Sequence, residues 1–172
     1  MSRRELAGLL GRHMSDSPEL INAGEGVTLA VPRDWTRTAI VVFANGGSGQ
    51  DVASVVVRRE SLDPHITLQQ YTDHMLVELA RTLPSFELQA REARELSAHP
   101  AMELRYTLTT RGESHQQRQV CAVDRPGSVL SLVFSSGATH AQAYEPVWEQ
   151  MLASVIIAPQ LPDTPTASGA AP

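Results

Sequence analysis

The sequence predicts an α+β fold in which one antiparallel β-sheet of about seven strands packs with two main helices. Strands are indicated by segments in which apolar and polar residues alternate, such as residues 102–109. Helices are indicated by two segments with apolar residues three and four positions apart. The chain has 172 residues, of which 42% are hydrophobic and 19% charged, which is typical of a globular domain.

The first part of the predicted sheet contains a hairpin. A short strand over residues 27–31 stops before Pro32. Two runs rich in β-branched residues, 38–44 and 52–59, then flank the segment Asn45-Gly-Gly-Ser-Gly49. An Asn-Gly pair between such runs is typical of a β-hairpin, because both residues accept positive φ.

Residues 67–83 predict the first helix. Their apolar residues fall on one helical face, and Thr67 with Gln70 fits a capping box at the start. Pro84 is expected to end this helix.

Period-two alternation then predicts two further strands, over residues 86–91 and 102–109. Turns at Gly112 and around residues 124–127 delimit two more, over residues 115–123 and 128–135. The second helix is predicted between residues 139 and 154, with Thr139 and Gln142 as another capping box. Because proline interrupts helices, we expect the regular part of this helix to begin at Pro146.

For the domain organisation, we expect residues 1–20 to be poorly ordered, residues 21–158 to form a single domain, and residues 159–172 to be a flexible tail.

The apolar stretches of the sequence are too short to span a bilayer. The N-terminal one is interrupted by Gly11 and Arg12, and no nearby cysteine could carry a lipid anchor. Together with a single cysteine, Cys121, this favours a cytoplasmic location.

Charge and glycine patterns argue against nucleotides and nucleic acids. The 14 basic residues are all arginine and are outnumbered by 19 acidic residues, which gives the chain a net charge of −5. This charge disfavours nucleic acid and anionic membranes as partners. The Gly46–Gly49 cluster lacks the G-K-[ST] ending of a phosphate-binding loop and precedes a strand, not a helix.

No residue pattern supports catalysis or metal binding. The six histidines form no H-x-x-x-H pair, and Asp63 with His65 is only a weak metal pattern. Cys121 lies in mid-strand, where a packed thiol is expected. We therefore expect no catalytic residue, no metal and no cofactor. A hydrolase that uses His115 and Ser131 is an alternative without motif support, since no G-x-S-x-G occurs.

Three of the predicted strands, over residues 39–43, 55–57 and 129–134, are apolar on both faces. Ile40 and Val42 should point one way, and Val41 and Phe43 the other. Two helices can cover one face, so a subunit, a ligand or an apolar partner segment is expected on part of the second. Alternatively, the sheet curls so that both faces are internal.

The polar run His115-Gln-Gln-Arg-Gln119 follows on a predicted strand. Glutamine amides can satisfy polar atoms of a bound segment without the desolvation cost of a carboxylate. A solvated strand edge is the alternative interpretation.

Several segments together carry a resemblance to a known family, in their order and spacing over residues 25–157. They are Pro32-Arg-Asp-Trp35, Val55-Val-Val-Arg-Arg-Glu60, Thr67-Leu-Gln-Gln-Tyr71, Leu83-Pro-Ser-Phe86, His99-Pro-Ala-Met-Glu-Leu104, the glutamine-rich run and Trp148. The chain resembles the DcrB-like family and, within it, the Eag chaperones of the bacterial type VI secretion system. This resemblance implies a PsbP/Mog1-like fold.

The resemblance also implies a non-enzymatic function without a cofactor. Eag proteins are dimeric cytoplasmic chaperone-adaptors that shield N-terminal transmembrane helices of PAAR or Rhs effectors and help to load them on the VgrG spike. The residues we expect to contact a client helix are Ile40, Val42, Val55 and Val57, with Gln117 and Gln119 as polar contacts. The alternative is a dimeric binding or assembly factor of the same fold with a different partner.

Overall fold

The computed structural model describes residues 19–24, 27–31, 39–47, 52–83 and 85–157. Its elements in chain order are β1 (Glu19–Gly24), β2 (Val27–Val31), β3 (Ile40–Ala44), β4 (Ala53–Ser61), α1 (Leu68–Thr82), β5 (Glu87–Leu96), β6 (His99–Thr110), β7 (Glu113–Arg125), β8 (Ser128–Gly137) and α2 (Ala141–Ala153). The chain divides into two units, Met1–Thr38 and Ala39–Pro172. The predicted domain over residues 21–158 includes parts of both, and the predicted tail lies outside the described residues.

In the first unit, β1 and β2 form an antiparallel pair, from Glu19 opposite Val31 to Gly24 opposite Val27. We predicted β2 but not β1, and residues 19–20 belong to β1 although we expected them to be poorly ordered. The rest of the predicted disordered segment, residues 1–18, lies outside the described part of the chain.

In the second unit, six strands form one antiparallel sheet in the order β3-β4-β8-β7-β6-β5. The predicted fold class is confirmed: an antiparallel sheet packs with two helices, although six strands share the sheet where about seven were expected. Strands β3 and β5 are the terminal strands of this sheet as described. The predicted hairpin is also confirmed, with Gly46 at φ +72° directly after Asn45.

Helix α1 covers one side of the sheet. Its capping box is formed as predicted, because Thr67 Oγ1 accepts from the Gln70 amide while the Gln70 side chain accepts from the Thr67 amide. Met75, with Leu76 and Leu79, packs over buried β6 side chains, and other α1 residues pack over Cys121 and Val129. We call this side of the sheet the α1 side.

Helix α2 covers the opposite side, which we call the α2 side. Trp148 and Leu152 pack in the main core, and the Trp148 ring lies 5.8 Å from the Phe134 ring. Our prediction for its start was wrong: the N-cap residue is His140, without a side-chain cap hydrogen bond, and Pro146 lies inside a continuous helix. Pro146 lies in the second turn and removes one backbone hydrogen-bond donor from the helix. Burial of Trp148 and Leu152 in the main core offsets the loss of this hydrogen bond.

Candidate functional site

Strand β3 has apolar side chains exposed on both sides of the sheet. Ile40, Val42 and Phe43 are each 59% exposed and Val41 is 47% exposed, although none of the strand's five residues is polar. Large apolar side chains that stay in contact with water as a contiguous group typically mark a binding surface. This agrees with the expectation that the sheet has more apolar surface than its two helices cover.

On the α1 side, a row of aliphatic residues runs inward from this open strand. Val42 lies opposite Val56 on β4, and Val56 lies opposite Val133 on β8. Val56 and Val133 are half-buried. Together with Ile40, these residues form what we call the α1-side surface. The sequence had indicated β8 as apolar on both faces, but it did not identify Val56 or Val133 as site residues.

A row of small or uncharged polar residues lies beside the α1-side surface. By register, Ala44 is opposite Ser54, Ser54 is opposite Ser135, and Ser135 is opposite Gln117. The structure thus places Ile40, Val42 and Gln117 on one side of the sheet, as a shared binding surface requires. Gln117 is half-buried and its Oε1 atom accepts a hydrogen bond of 2.8 Å from the Tyr106 hydroxyl.

Gln119 is in a different position from the one we predicted. It is only 2% exposed, and its Nε2 atom donates to Ser131 Oγ at 3.0 Å beneath α1. The Tyr106 hydroxyl lies 3.0 Å from Gln119 Oε1, and burial raises the pKa of Tyr106 to about 12, so this hydroxyl keeps its proton. Gln119 therefore presents no accessible amide to a bound segment in this structure.

On the α2 side, β3 and α2 form a groove of about 150 Å³, which we call the α2-side groove. It is lined by Phe43, Ala44, Asn45, Ala53, Ser54, Val55, Tyr144, Val147, Trp148 and Met151. Val147 and Met151, one helical turn apart, remain 44% and 42% exposed on the helix wall. Neither residue was among the predicted client contacts, because apolar residues four positions apart on a helix are also typical of residues packed in a core.

Val55 and Val57, the other two predicted contacts, lie on this α2 side. Val55 is buried in the main core and contributes to the groove floor, while Val57 packs against that core. Strand alternation therefore places them on the opposite face from Ile40 and Val42. The six predicted residues do not form one surface.

One end of the groove is closed by a polar contact. Asn45 Nδ2 donates to the Tyr144 hydroxyl at 2.8 Å, while Asn45 Oδ1 accepts from the amides of Gly47 and Ala53. The Tyr144 ring in turn stacks on Trp148 at 6.2 Å. The turn after β3 is thus tied directly to α2, which fixes the groove at this end.

A charged network holds the other flank of α2 to the sheet. The Arg118 side chain on β7 is 1% exposed; its Nη1 lies 3.0 Å from Glu145 Oε2, and it also contacts Glu149. On the sheet, Arg118 Nη2 donates to Glu103 Oε2 at 2.9 Å. Burial alone would lower the pKa of Arg118, but the hydrogen bonds to Glu103 and Glu149 raise it, so the residue stays charged. The sequence did not indicate this network.

The residues considered for catalysis are not brought together. In the β7–β8 ladder, His115 lies opposite Gly137 while Ser131 lies opposite Cys121, several residues away. Burial raises the pKa of the Cys121 thiol, which disfavours the reactive thiolate. Within the described ranges, no three His, Cys, Asp or Glu residues cluster as a metal site would require. Neither described helix has the length and hydropathy needed to cross a membrane.

Comparison with known proteins places this fold in a family. The sequence profile described as DcrB matches residues 25–154, which include β3, β4 and both helices. The chain belongs to the DcrB family. A curated relative, named Effector EagT6, from Pseudomonas aeruginosa, is 26% identical over 132 residues, which cover 76% of this chain and 91% of that protein.

Two solved structures show the same architecture. The protein of unknown function PA94 from Pseudomonas aeruginosa has a TM-score of 0.67 at 25% identity, covering 84% of this chain and all of the other. LpqN from Mycobacterium tuberculosis, which is involved in cell envelope biogenesis, has a TM-score of 0.54 at 16% identity, covering 72% of this chain and 85% of LpqN. At that identity, the LpqN match shows the fold alone.

Proposed function

We propose that this DcrB-family chain is a non-enzymatic, cytoplasmic chaperone-adaptor that binds the N-terminal transmembrane helices of a type VI secretion effector of the PAAR or Rhs type. The observation that carries the proposal is the exposure of Ile40, Val41, Val42 and Phe43, all about half exposed or more on a strand without a charge. The similarity to a protein named Effector EagT6 supports a role associated with effectors.

The chemistry of the two surfaces suits an apolar helix. Such a helix aggregates in water, and contact with the α1-side surface or the α2-side groove removes apolar area from both partners. The polar row beside the α1-side surface consists of uncharged groups, including Ser54, Ser135 and Gln117. These groups can meet polar atoms of the helix without the cost of desolvating a charge. The nearby Arg58 is paired, with its Nε atom 2.7 Å from Glu60 Oε1.

The adaptor step, in which the loaded effector reaches the VgrG spike, is part of the same proposal. We also propose that the working form is a homodimer, because two copies present twice the apolar surface and can enclose more than one helix. Both features rest on the resemblance to Eag chaperones.

Co-expression with the N-terminal region of a PAAR or Rhs effector encoded beside this gene tests the proposal. The wild-type chain should hold that region in a soluble complex. Val42→Ser on the α1 side and Phe43→Ser on the α2 side should each weaken the complex about fivefold, because each removes roughly 1 kcal/mol of apolar contact. Val77→Ser is the matched control, since Val77 is a 65% exposed valine on α1 outside both surfaces.

An effector region that is equally soluble without this chain would contradict the chaperone proposal. If pull-downs recover a partner without transmembrane segments, and if Val42→Ser or Phe43→Ser abolishes its recovery, the same surface serves an assembly factor instead. If all three variants bind the effector like wild type, the exposed strand is not the binding site.

A further inference from the structure

The α1-side surface borders on one charged residue, Arg58. On β4 this arginine follows Val56 by two positions, so both side chains lie on the α1 side. By register Arg58 is opposite Ile40 on β3 and opposite Ser131 on β8. The α1 side of β4 therefore changes along the strand from the small polar Ser54 through an aliphatic residue to a guanidinium. An arginine at this position withdraws part of a charge from water, which is costly unless the charge binds a partner.

A chain of two contacts from α1 holds the Arg58 guanidinium in place. The Tyr71 hydroxyl donates to Glu60 Oε2 at 2.7 Å, and Glu60 Oε1 lies 2.7 Å from Arg58 Nε. Burial and the hydrogen bond to Glu60 raise the pKa of Tyr71, so this hydroxyl keeps its proton and stays a donor. Glu60 is thus held from both sides, and its carboxylate fixes the Nε edge of the guanidinium.

The other edge of this guanidinium is not used by the described part of the chain. Neither Nη atom of Arg58 donates a hydrogen bond to a residue in the described ranges, and Glu60 is its one ion-pair partner among them. The Arg58 side chain is 37% exposed, so a bound molecule can reach it. Two Nη groups on a guanidinium held in position form a planar pair of donors, which is the geometry that binds both oxygens of a carboxylate.

We infer that Arg58 binds an acidic side chain of the client, so that the segment bound by this chain is an apolar helix with an Asp or Glu at one end. In this arrangement Val42, Val56 and Val133 contact the apolar face of the helix, and the Nη groups of Arg58 bind the carboxylate. The inference names the class of helix that the α1-side surface selects, and it rests on the proposed function.

Glu60 does not exclude a second carboxylate from Arg58. The same chain already surrounds another arginine, Arg118, with three carboxylates, those of Glu103, Glu145 and Glu149. Because Glu60 also accepts from Tyr71, part of its charge is compensated by that donor. The Arg58 side chain is also far more exposed than that of Arg118, which is 1% exposed, so water screens the repulsion between two carboxylates more strongly there.

The spacing on the sheet fixes where the acidic residue lies in the client. Residues two positions apart on a strand are roughly 7 Å apart, and one helical turn rises about 5.4 Å. We therefore expect the Asp or Glu within about one turn of the helix residue that contacts Val56. In the effector encoded beside this gene, an acidic residue should lie directly at the border of an N-terminal apolar segment.

Two synthetic helices that differ in one residue test the inference. Both consist of Ala and Leu, have blocked termini, carry a fluorescent label and a polyethylene glycol tail for solubility, and contain either Glu or Gln at the end away from the tail. Fluorescence anisotropy measures the dissociation constant of each helix for the full chain. The wild-type chain should bind the Glu helix about tenfold more tightly than the Gln helix, because a charge-assisted pair replaces a neutral contact.

Arg58→Gln should remove this preference and leave the affinity for the Gln helix within about twofold of wild type. Arg58→Lys keeps the charge but not the planar pair of donors, so it should keep only part of the preference; it also serves if Arg58→Gln does not fold. Arg59→Gln is the matched control and should keep the full preference. Arg59 is the next residue on β4, is 45% exposed and has its Nε atom 2.7 Å from Asp124 Oδ2, but alternation places it on the α2 side.

Equal binding of the Glu and Gln helices by the wild-type chain would overturn the inference, as would a preference that survives in a folded Arg58→Gln variant. If Arg58→Gln weakens both helices equally, Arg58 contacts the helix backbone and not an acidic side chain. The Gln helix tests the proposed function separately: if it binds and Val42→Ser weakens it, the apolar surface functions whatever the role of Arg58. If neither helix binds, the proposed function fails and the inference fails with it.

Discussion

Glu103 is a buried carboxylate on which three arginines converge, and its removal should have a large, pH-dependent effect on stability. The residue is 4% exposed, its Oε1 atom lies 2.8 Å from the Nε atoms of both Arg118 and Arg105, and Arg94 contacts Oε2. Burial by itself raises the pKa of Glu103, but the hydrogen bonds from Arg118, Arg105 and Arg94 outweigh it and lower the pKa to about 2.

The size of the effect follows from this shift. Lowering the pKa from 4.5 to about 2 corresponds to about 3 kcal/mol of stability for the ionised form. Because the folded-state pKa lies below the unfolded one, this stability is fully present above about pH 4.5 and is lost as the pH falls toward 2. Glu103→Gln should therefore cost about 3 kcal/mol at pH 7, in the range expected when one partner of a buried ion pair is removed.

Urea unfolding followed by circular dichroism measures the free energy of unfolding of wild type and Glu103→Gln. The two proteins are compared at one protein concentration and at several pH values from 7 down to 2. In thermal unfolding at pH 7, followed by the same signal, the midpoint temperature of Glu103→Gln should fall by roughly 6–12 °C. The difference from wild type should shrink as the pH falls below about 4.5, because the wild-type carboxylate then takes up a proton. Glu78→Gln is the control: Glu78 is 59% exposed and pairs with Arg81 on α1, and its loss should cost less than about 0.5 kcal/mol.

Two outcomes would refute this reasoning. If the free energy of unfolding of Glu103→Gln at pH 7 lies within about 1 kcal/mol of the wild-type value, the three arginines do not need this carboxylate to remain buried and paired. If the two proteins differ by a constant free energy from pH 7 to pH 2, the variant perturbs packing and not the ionised form.

Two further predictions concern α1 and the sheet beneath it. Thr67→Ala removes the capping box and should lower the free energy of unfolding by about 1 kcal/mol in urea titrations, and an unchanged midpoint would show that the cap contributes nothing. Burial raises the pKa of the Cys121 thiol, so in the native chain a thiol reagent should react with it only as fast as the protein unfolds, and reaction should become immediate above the urea midpoint. Rapid native-state labelling at neutral pH would contradict its position under α1.

The elements that the sequence predicted well are those specified by local signals. The β3–β4 hairpin is fixed by an Asn-Gly turn between β-branched runs, and α1 by its capping box and apolar spacing. The start of α2 was predicted wrongly. Thr139 and Gln142 have the residue types and the spacing of a capping box, but the N-cap residue is not Thr139. The actual N-cap is His140, which makes no side-chain cap hydrogen bond, while Trp148 and Leu152 of the same helix are buried in the main core.

The Arg118 network was missed for a related reason. Glu145 and Glu149 are four residues apart, a spacing that places both on one helical face but does not identify a partner for them. Only the sheet order brings Arg118 beneath them and adds Glu103 from the neighbouring strand. Similarly, Gln117 and Gln119 were both predicted as polar contacts, but in the structure Gln117 stays half-buried while Gln119 is fully buried beneath α1.

The predicted client contacts show why composition alone does not define a binding surface on a sheet. Val42 and Val55 are the same residue type in the two strands of one hairpin, yet Val42 is 59% exposed and Val55 only 8%. Strand β4 has a neighbour on each side and α2 above it, whereas β3 has a described neighbour on one side only. The exposure of an apolar side chain therefore depends on where its strand lies in the sheet order. The apolar surface that a partner can reach lies on β3, the terminal strand next to β4.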